Sequence, residues 1–276
     1  MADQQGRAET LRYDSAPARR RRILTAVAEA GFISVTDLAR QLGVSDMTVR
    51  RDLRKLEHQS KVRVVHGGVS ALLASLHSPA FAGRAGLQSE GKRTIAERAV
   101  GSIPWAATIA VDAGTTTYAV AQALPDSFTG TVVTHSVPVM QLLLTRGLGR
   151  VVGLGGDLLR ESQAFVGPRT VEATQGLRVQ TLFLGAAAVD HKGLYVSTDS
   201  ERPTKLALMD IADRVVLLVD NAKFSSPAAV LLCGWDRIAE VVTDLPPADA
   251  IRERLTEMGV SLEVALAREP ARAETP

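Results

Sequence analysis

The stretch SVTDLARQLGVSDMTVRRDLRKLEHQSKVRVVHGGVS, residues 34–70, contains two helix starts, one glycine stop and an alternating tail. Ser34-Val-Thr-Asp37 fits a capping box with Asp in place of Glu. Val35, Leu38, Ala39 and Leu42 recur at i, i+3, i+4 and i+7, which gives one buried helical stripe. Gly43 ends that helix as a left-handed cap residue does. Ser45 then caps a further helix, SDMTVRRDLRKLEHQ (45–59), whose Val49, Leu53 and Leu56 face inward. Met47, Arg50, Arg51, Arg54 and Lys55 lie on or beside the opposite side. Upstream, Ile23, Leu24 and Val27 mark the apolar side of a first helix that ends near Gly31. Downstream, KVRVVHGGVS (61–70) alternates and carries a Gly-Gly turn, as a wing does. The expected unit is a winged helix-turn-helix.

A short turn sets two helices at a steep angle, so that the second can enter a groove ~12 Å wide. Its first residues then reach base edges and phosphates, and arginine suits both. The candidate DNA contacts are Ser34, Thr36, Ser45, Asp46, Met47, Thr48, Arg50, Arg51, Arg54 and Lys55, with Arg63 and His66 on the wing. Charge agrees: residues 1–70 carry 13 Lys/Arg against 8 Asp/Glu, while the whole chain has a net charge of only +2. A three-helix packing module with a solvated basic face is the competing reading. The caps, the wing and the preceding Arg19–Arg22 cluster together favour double-stranded DNA as the partner.

Beyond the head, the 276 residues suffice for a second, larger domain. With 46% hydrophobic residues, wholesale disorder is excluded. No apolar run reaches the ~20 residues a membrane span needs, so no membrane partner is expected. The N-terminal residues lack the apolar core of a secretory signal, and the single cysteine, Cys233, fits a reducing cytoplasm. Residues 1–18 read as a disordered arm, 19–72 as the DNA-binding domain, 73–91 as a linker, 92–266 as an effector-sensing domain and 267–276 as a disordered tail. In the sensing domain, apolar runs at 107–112, 130–135, 150–155, 180–188, 214–220 and 240–244 alternate with helical patterns. Continuous apolar strands between helices imply a parallel sheet covered on both faces, a Rossmann-like α/β domain.

Ligands of such sheets bind at the carboxyl ends of the strands. In VDAGTTTYAVAQAL (111–124) a strand enters a Gly/Thr loop that opens a helix. Gly114 lets the backbone approach a ligand, and Thr115, Thr116 and Thr117 place hydroxyls beside free amides, an arrangement that holds phosphate. An N-cap after a buried strand has the same sequence appearance. Asp112, at the end of the same strand, joins the candidate effector site with His135, Gly155, Gly156, Gly185, Asp220 and Lys223 from other strand ends and loops, and Lys205 from early in a helix. Asp190, before a His-Lys-Gly turn, is either a hydroxyl acceptor or a turn residue. No His/Cys set has metal-ligand spacing, and neither metal nor cofactor is expected. One winged helix makes too few contacts for high specificity, so a homodimer or larger homo-oligomer is expected.

The pieces VSDMTVRRDLRKLE (44–57) and RVVHGGV (63–69) resemble the N-terminal domain of the DeoR family of bacterial transcriptional regulators. The resemblance continues to about residue 245. It implies a body similar to ribose-5-phosphate isomerase and glucosamine-6-phosphate deaminase that senses a phosphorylated sugar without catalysis. It also implies a repressor of sugar or polyol catabolic genes, cytoplasmic and nucleoid-associated when DNA-bound. Gly114–Thr117, Gly155–Gly156, Gly167, Gly185, Asp190, Gly193, Lys205, Asp220 and Lys223 match the family pattern. His135 stands where the family usually has Asn, and Asn221 where it usually has Ser or His.

Overall fold

The computed structural model describes residues 16–30, 32–58, 62–65, 67–71 and 79–265. Lys61, His66, most of the expected arm and the whole expected tail lie outside them. The chain divides into two compact units, Met1–Leu76 and His77–Pro276. No helix of the described residues is long and apolar enough to cross a membrane.

In the head, helices α1 (Ala16–Ala30), α2 (Val35–Leu42) and α3 (Asp46–His58) pack with strands β1 (Phe32–Ser34), β2 (Val62–Val65) and β3 (Gly68–Ala71). The strands form an antiparallel sheet in the order β1-β3-β2. The Ser34 hydroxyl accepts the Asp37 amide at 3.0 Å and caps α2, while Gly43 closes it in the left-handed conformation. Ile23 and Val27, the α2 stripe, Val49, Leu53 and Leu56 then meet Val62 and Val69 in one core. The wing is a hairpin of two strands, and β1 supplies a third strand that the sequence pattern does not mark. The expected arm ran to residue 18, yet α1 begins at Ala16. Pro17 is tolerated there because a first-turn amide has no helical acceptor to lose.

The body opens with α4 (Pro79–Gly86) and α5 (Ser89–Val100). Next come β4 (Thr108–Val111), α6 (Thr115–Ala123), β5 (Thr131–Thr134), α7 (Val137–Arg146) and β6 (Arg150–Gly153). A hairpin of β7 (Asp157–Leu159) and β8 (Ala164–Val166) leads into the short α8 (Pro168–Glu172) and then β9 (Val179–Gly185). Small strands β10 (Ala188–Val189) and β11 (Leu194–Val196) precede α9 (Arg202–Asp210) and β12 (Ala212–Leu218). The last elements are β13 (Val230–Cys233), β14 (Glu240–Thr243), α10 (Asp249–Glu257) and β15 (Ser261–Val264).

Seven of these strands form one parallel sheet in the order β15-β14-β12-β9-β4-β5-β6. Its strands alternate between two cores. Ile109, Val111, Val132, Phe183, Val216 and Val242 face the core that holds Ile95, Val120 and Leu143. Ala110, Val133, Leu182, Leu184, Leu217 and Val241 face the one that holds Leu208, Trp235 and Leu255. A strand buried on both faces needs apolar residues at every position, which is why the inner strands β4, β5, β9, β12 and β14 read as apolar runs. From β4 the chain winds outward through β5 and β6; from β9 it winds the other way. The reversal falls between the carboxyl ends of β4 and β9, and at such a point open α/β sheets bind ligands in a crevice.

The expected linker, 73–91, is corrected in its described part, and residues 73–78 lie outside the described residues. Residues 79–86 form α4 and 89–91 begin α5, and Phe81 is fully buried, with its ring 5.7 Å from that of Tyr118 at 86°. The Gly, Pro and Ser content that reads as a linker is accommodated because Phe81 anchors the segment on α6.

Candidate functional site

Two surfaces carry the candidate residues, one in each unit. On α3, Val49, Leu53 and Leu56 are buried, and Arg50, Arg51, Arg54 and Lys55 are exposed. The helix start is fixed locally: the Ser45 hydroxyl accepts the Thr48 amide at 3.3 Å and pairs with the Thr48 hydroxyl at 3.0 Å. Asp52, the acidic residue among these arginines, is only 4% exposed and is held from α1 by Arg19 at 2.6 Å and Arg20 at 3.9 Å. Two cations of the Arg19–Arg22 cluster therefore neutralise a buried carboxylate, and the basic face of α3 stays unquenched. Ser34 is engaged in the α2 cap and the Asp37 carboxylate, whereas Thr36 and Asp46 are exposed. Arg63 lies on β2, and His66 is outside the described residues.

At the body's crevice, a buried cluster joins three strand ends. Asp112 follows β4 and is fully buried. Its Oδ2 receives the Gly185 amide at 2.9 Å and the Lys205 ammonium, and its Oδ1 lies 3.0 Å from His135 Nε2. Lys205, early in α9, also donates to the Gly185 carbonyl at 3.0 Å. Burial alone would raise the Asp112 carboxyl, but the Lys205 ammonium and the His135 ring reverse this and hold it down at about 2. Lys205 is thus engaged inside the protein by the Asp112 carboxylate and the Gly185 carbonyl.

The His135 ring is engaged at both of its nitrogens. Its Nδ1 faces the Phe165 carbonyl at 2.8 Å, an acceptor only, so Nδ1 carries a proton. Nε2 lies 3.0 Å from the Asp112 carboxylate and 3.2 Å from the Ala113 amide nitrogen. The ring thereby ties the loops after β4 and β5 to the β7–β8 hairpin.

Above this cluster, α6 begins without any side-chain cap on its first turn. Gly114 has φ 152°, a conformation that disfavours any side chain, and this turns the chain sharply from Asp112 into the helix. Thr117 is buried and anchors the turn by donating to the carbonyls of Asp112 (2.7 Å) and Gly114 (3.1 Å), so it supports the loop rather than offering its hydroxyl. Thr115 is half-buried and Thr116 buried beside it. The uncapped amides, pointing out of the helix with its positive dipole end, are suited to an anion.

The other candidates are placed as follows. The Asp190 carboxylate is taken up by the Lys192 amide (2.7 Å), the Tyr195 hydroxyl (2.9 Å) and the Gly193 amide (3.2 Å). Burial opposes its ionisation, yet these donors hold its carboxyl below the ordinary range. It is a turn residue. The Gly155 carbonyl accepts the buried Thr170 hydroxyl at 2.8 Å, and Gly156, at φ 146°, lies so close to Thr170 that any side chain would collide with it. That pair seats α8 against the loop. Asp220 is buried at the end of β12, where burial raises its carboxyl against the pull of Lys223 and Lys92. Cys233 is partly buried, and burial pushes its thiol up to about 11, which leaves it unreactive at neutral pH.

Lys92 was not among the sequence candidates. Its buried ammonium donates to the carbonyls of Arg84 and Leu87 at the end of α4 and faces Asp220. Burial brings it down to about 8. A lysine in an amphipathic helix reads as a surface residue by default, and the one local signal of a docked segment was the aromatic Phe81 within the Gly-rich stretch before it.

The family described as "DeoR-like helix-turn-helix domain" matches residues 19–73, and that described as "DeoR C terminal sensor domain" matches residues 87–245. The chain is 30% identical over 243 residues to the glycerol-3-phosphate regulon repressor of Escherichia coli (strain K12), covering 88% of this chain and 96% of that one. It is 32% identical to the HTH-type transcriptional regulator GlpR of Haloferax volcanii, covering 91% and 98%. Ribose 5-phosphate isomerase A from Neisseria gonorrhoeae is a distant structural likeness, 20% identical with a TM-score of 0.36, covering 51% of this chain and 53% of that one. With both domain patterns in order along most of its length, this chain belongs to the DeoR family of transcriptional regulators.

Proposed function

We propose that the protein is a repressor of sugar or polyol catabolic genes, released from its operator by a small phosphorylated sugar or polyol. The head, residues 19–72, binds double-stranded DNA through the exposed face of α3, and the body senses the effector. The observation that carries the sensing role is the uncapped first turn of α6 at the crevice between β4 and β9. There the amides of Thr115–Thr117 bind the phosphate, and the cluster of Asp112, His135 and Lys205 fixes the floor beneath it. A phosphorylated polyol also agrees with the regulon named for the Escherichia coli relative.

Catalysis does not fit this floor. A carbon-acid base must reach substrate, whereas the Asp112 carboxylate is buried and held by three donors. The protein acts as a homodimer or larger homo-oligomer, because two heads are needed for operator affinity. Its site of action is the bacterial nucleoid.

The test is the melting temperature of the chain against a panel of sugar and polyol phosphates, with free sugars and inorganic phosphate as controls. A ligand at about 100 times its Kd stabilises by ~2.7 kcal/mol, which shifts Tm by a few degrees. A selective shift by phosphorylated compounds is expected. A panel in which only unphosphorylated sugars shift Tm would overturn the phosphate cradle.

A further inference from the structure

One side chain on the basic face of α3 is out of keeping with its neighbours. Met47, in the first turn, is 71% exposed. Among the described residues of the head it is the only large hydrophobic side chain so exposed. A solitary exposed methionine is ordinary on a protein surface. This one shares a helical stripe with Arg50, Arg51 and Arg54, at i+3, i+4 and i+7. All three arginines are exposed, and among the described residues none of them forms an ion pair.

The start of the helix is not free to use its hydroxyls either, since Ser45 and Thr48 bond each other and the cap. The large exposed side chain of the first turn is therefore an unbranched thioether, framed by cations that draw the stripe onto phosphate. In the major groove the one apolar feature of a base edge is the 5-methyl group of thymine. Methionine, with three rotatable bonds and a polarisable sulfur, adapts its tip to such a surface.

We propose that Met47 is a specificity-determining residue that packs on the thymine 5-methyl group in the major groove. This rests on the reading of the head as a DNA-binding domain. The exposed position gives Met47 no part in the core, so its removal leaves the fold intact.

The experiment starts with the full chain and a pool of randomised duplexes, from which the preferred duplex is recovered. That duplex is resynthesised with each dT replaced singly by dU, which deletes only the methyl group. Kd is measured at one salt concentration for the native chain and for Met47→Ala, with Tm as a check on folding. At one dT of each half-site, dU should weaken the native chain about four-fold, the effect of deleting one packed methyl group. The same change should leave Met47→Ala within about 1.5-fold, and Met47→Leu should keep most of the sensitivity. If dU weakens native and Met47→Ala chains alike at every position, or weakens neither, the proposal is wrong while the DNA-binding reading stands. A pool that yields no preferred sequence contradicts that reading itself, and the proposal with it.

Discussion

Asp112 is the residue on which the body's crevice is built. It receives the Gly185 amide, the Lys205 ammonium and the His135 ring, and so links the ends of β4, β9 and β5 to α9. Replacing it with Asn keeps the shape but leaves the Lys205 ammonium buried without its counter-charge. Asp112→Asn is therefore expected to lose about 3–5 kcal/mol in urea unfolding. Acid sensitivity gives an independent check. The native carboxyl ionises at about 2, below its ordinary value of 3.8, so the stabilisation is complete above about pH 4 and is lost as pH falls toward 2. In Asp112→Asn that acid limb should flatten; an unchanged limb would show that the carboxylate gains nothing from its partners. Asp112 was legible as a strand-end residue, and His135 and Lys205 as polar residues near other strand ends. Their union was not legible, because it depends on the strand order that brings β4, β5 and β9 side by side. Asp190 shows the reverse problem: a carboxylate before a His-Lys-Gly turn has the same sequence appearance whether it binds a ligand or, as here, closes the turn.

At the scale of the element, α3 separates into a buried stripe and a cationic one, with its own Asp52 neutralised from α1. Arg50→Ala combined with Arg51→Ala should weaken DNA binding at least ten-fold and make its salt dependence shallower by about one unit of slope for each phosphate no longer neutralised. Both side chains are exposed, so Tm should change little and the ligand-induced Tm shift should persist. Loss of both responses together would contradict the division of labour between head and body. The helices α2 and α3 were legible because caps, stripe and stop agree in one short stretch. Five inner sheet strands were legible because burial on both faces makes them apolar, and the edge strand β6 because its half-buried Val151 and Val152 still read as a run. The seventh, β15, sits at the sheet edge with half-buried residues and no such run. The β7–β8 hairpin was hidden for a related reason, since Asp157 and Leu158 are exposed. The helix α4 was hidden by its glycines, although the buried Phe81 holds it to α6.

For the whole molecule, two units with separate cores must exchange free energy for a metabolite to change DNA affinity. A ligand does so only by binding more tightly to the arrangement that binds DNA less well, and by linkage DNA must weaken the ligand by the same factor. A coupling of 1–3 kcal/mol, typical of such systems, corresponds to about 5–150-fold in affinity. The buried Lys92 of α5 joins the end of α4 to Asp220 at the carboxyl edge of the sheet. The most direct measurement is a titration of the compound that raises Tm most into the full chain bound to a fluorescent duplex, followed by anisotropy at fixed salt. Release of the duplex is expected over the concentration range that stabilises the free protein, displaced upward by the coupling factor, with the unphosphorylated analogue inert. A ligand that stabilises the chain yet leaves the duplex bound at saturation would contradict sensing by the body as the control of DNA binding.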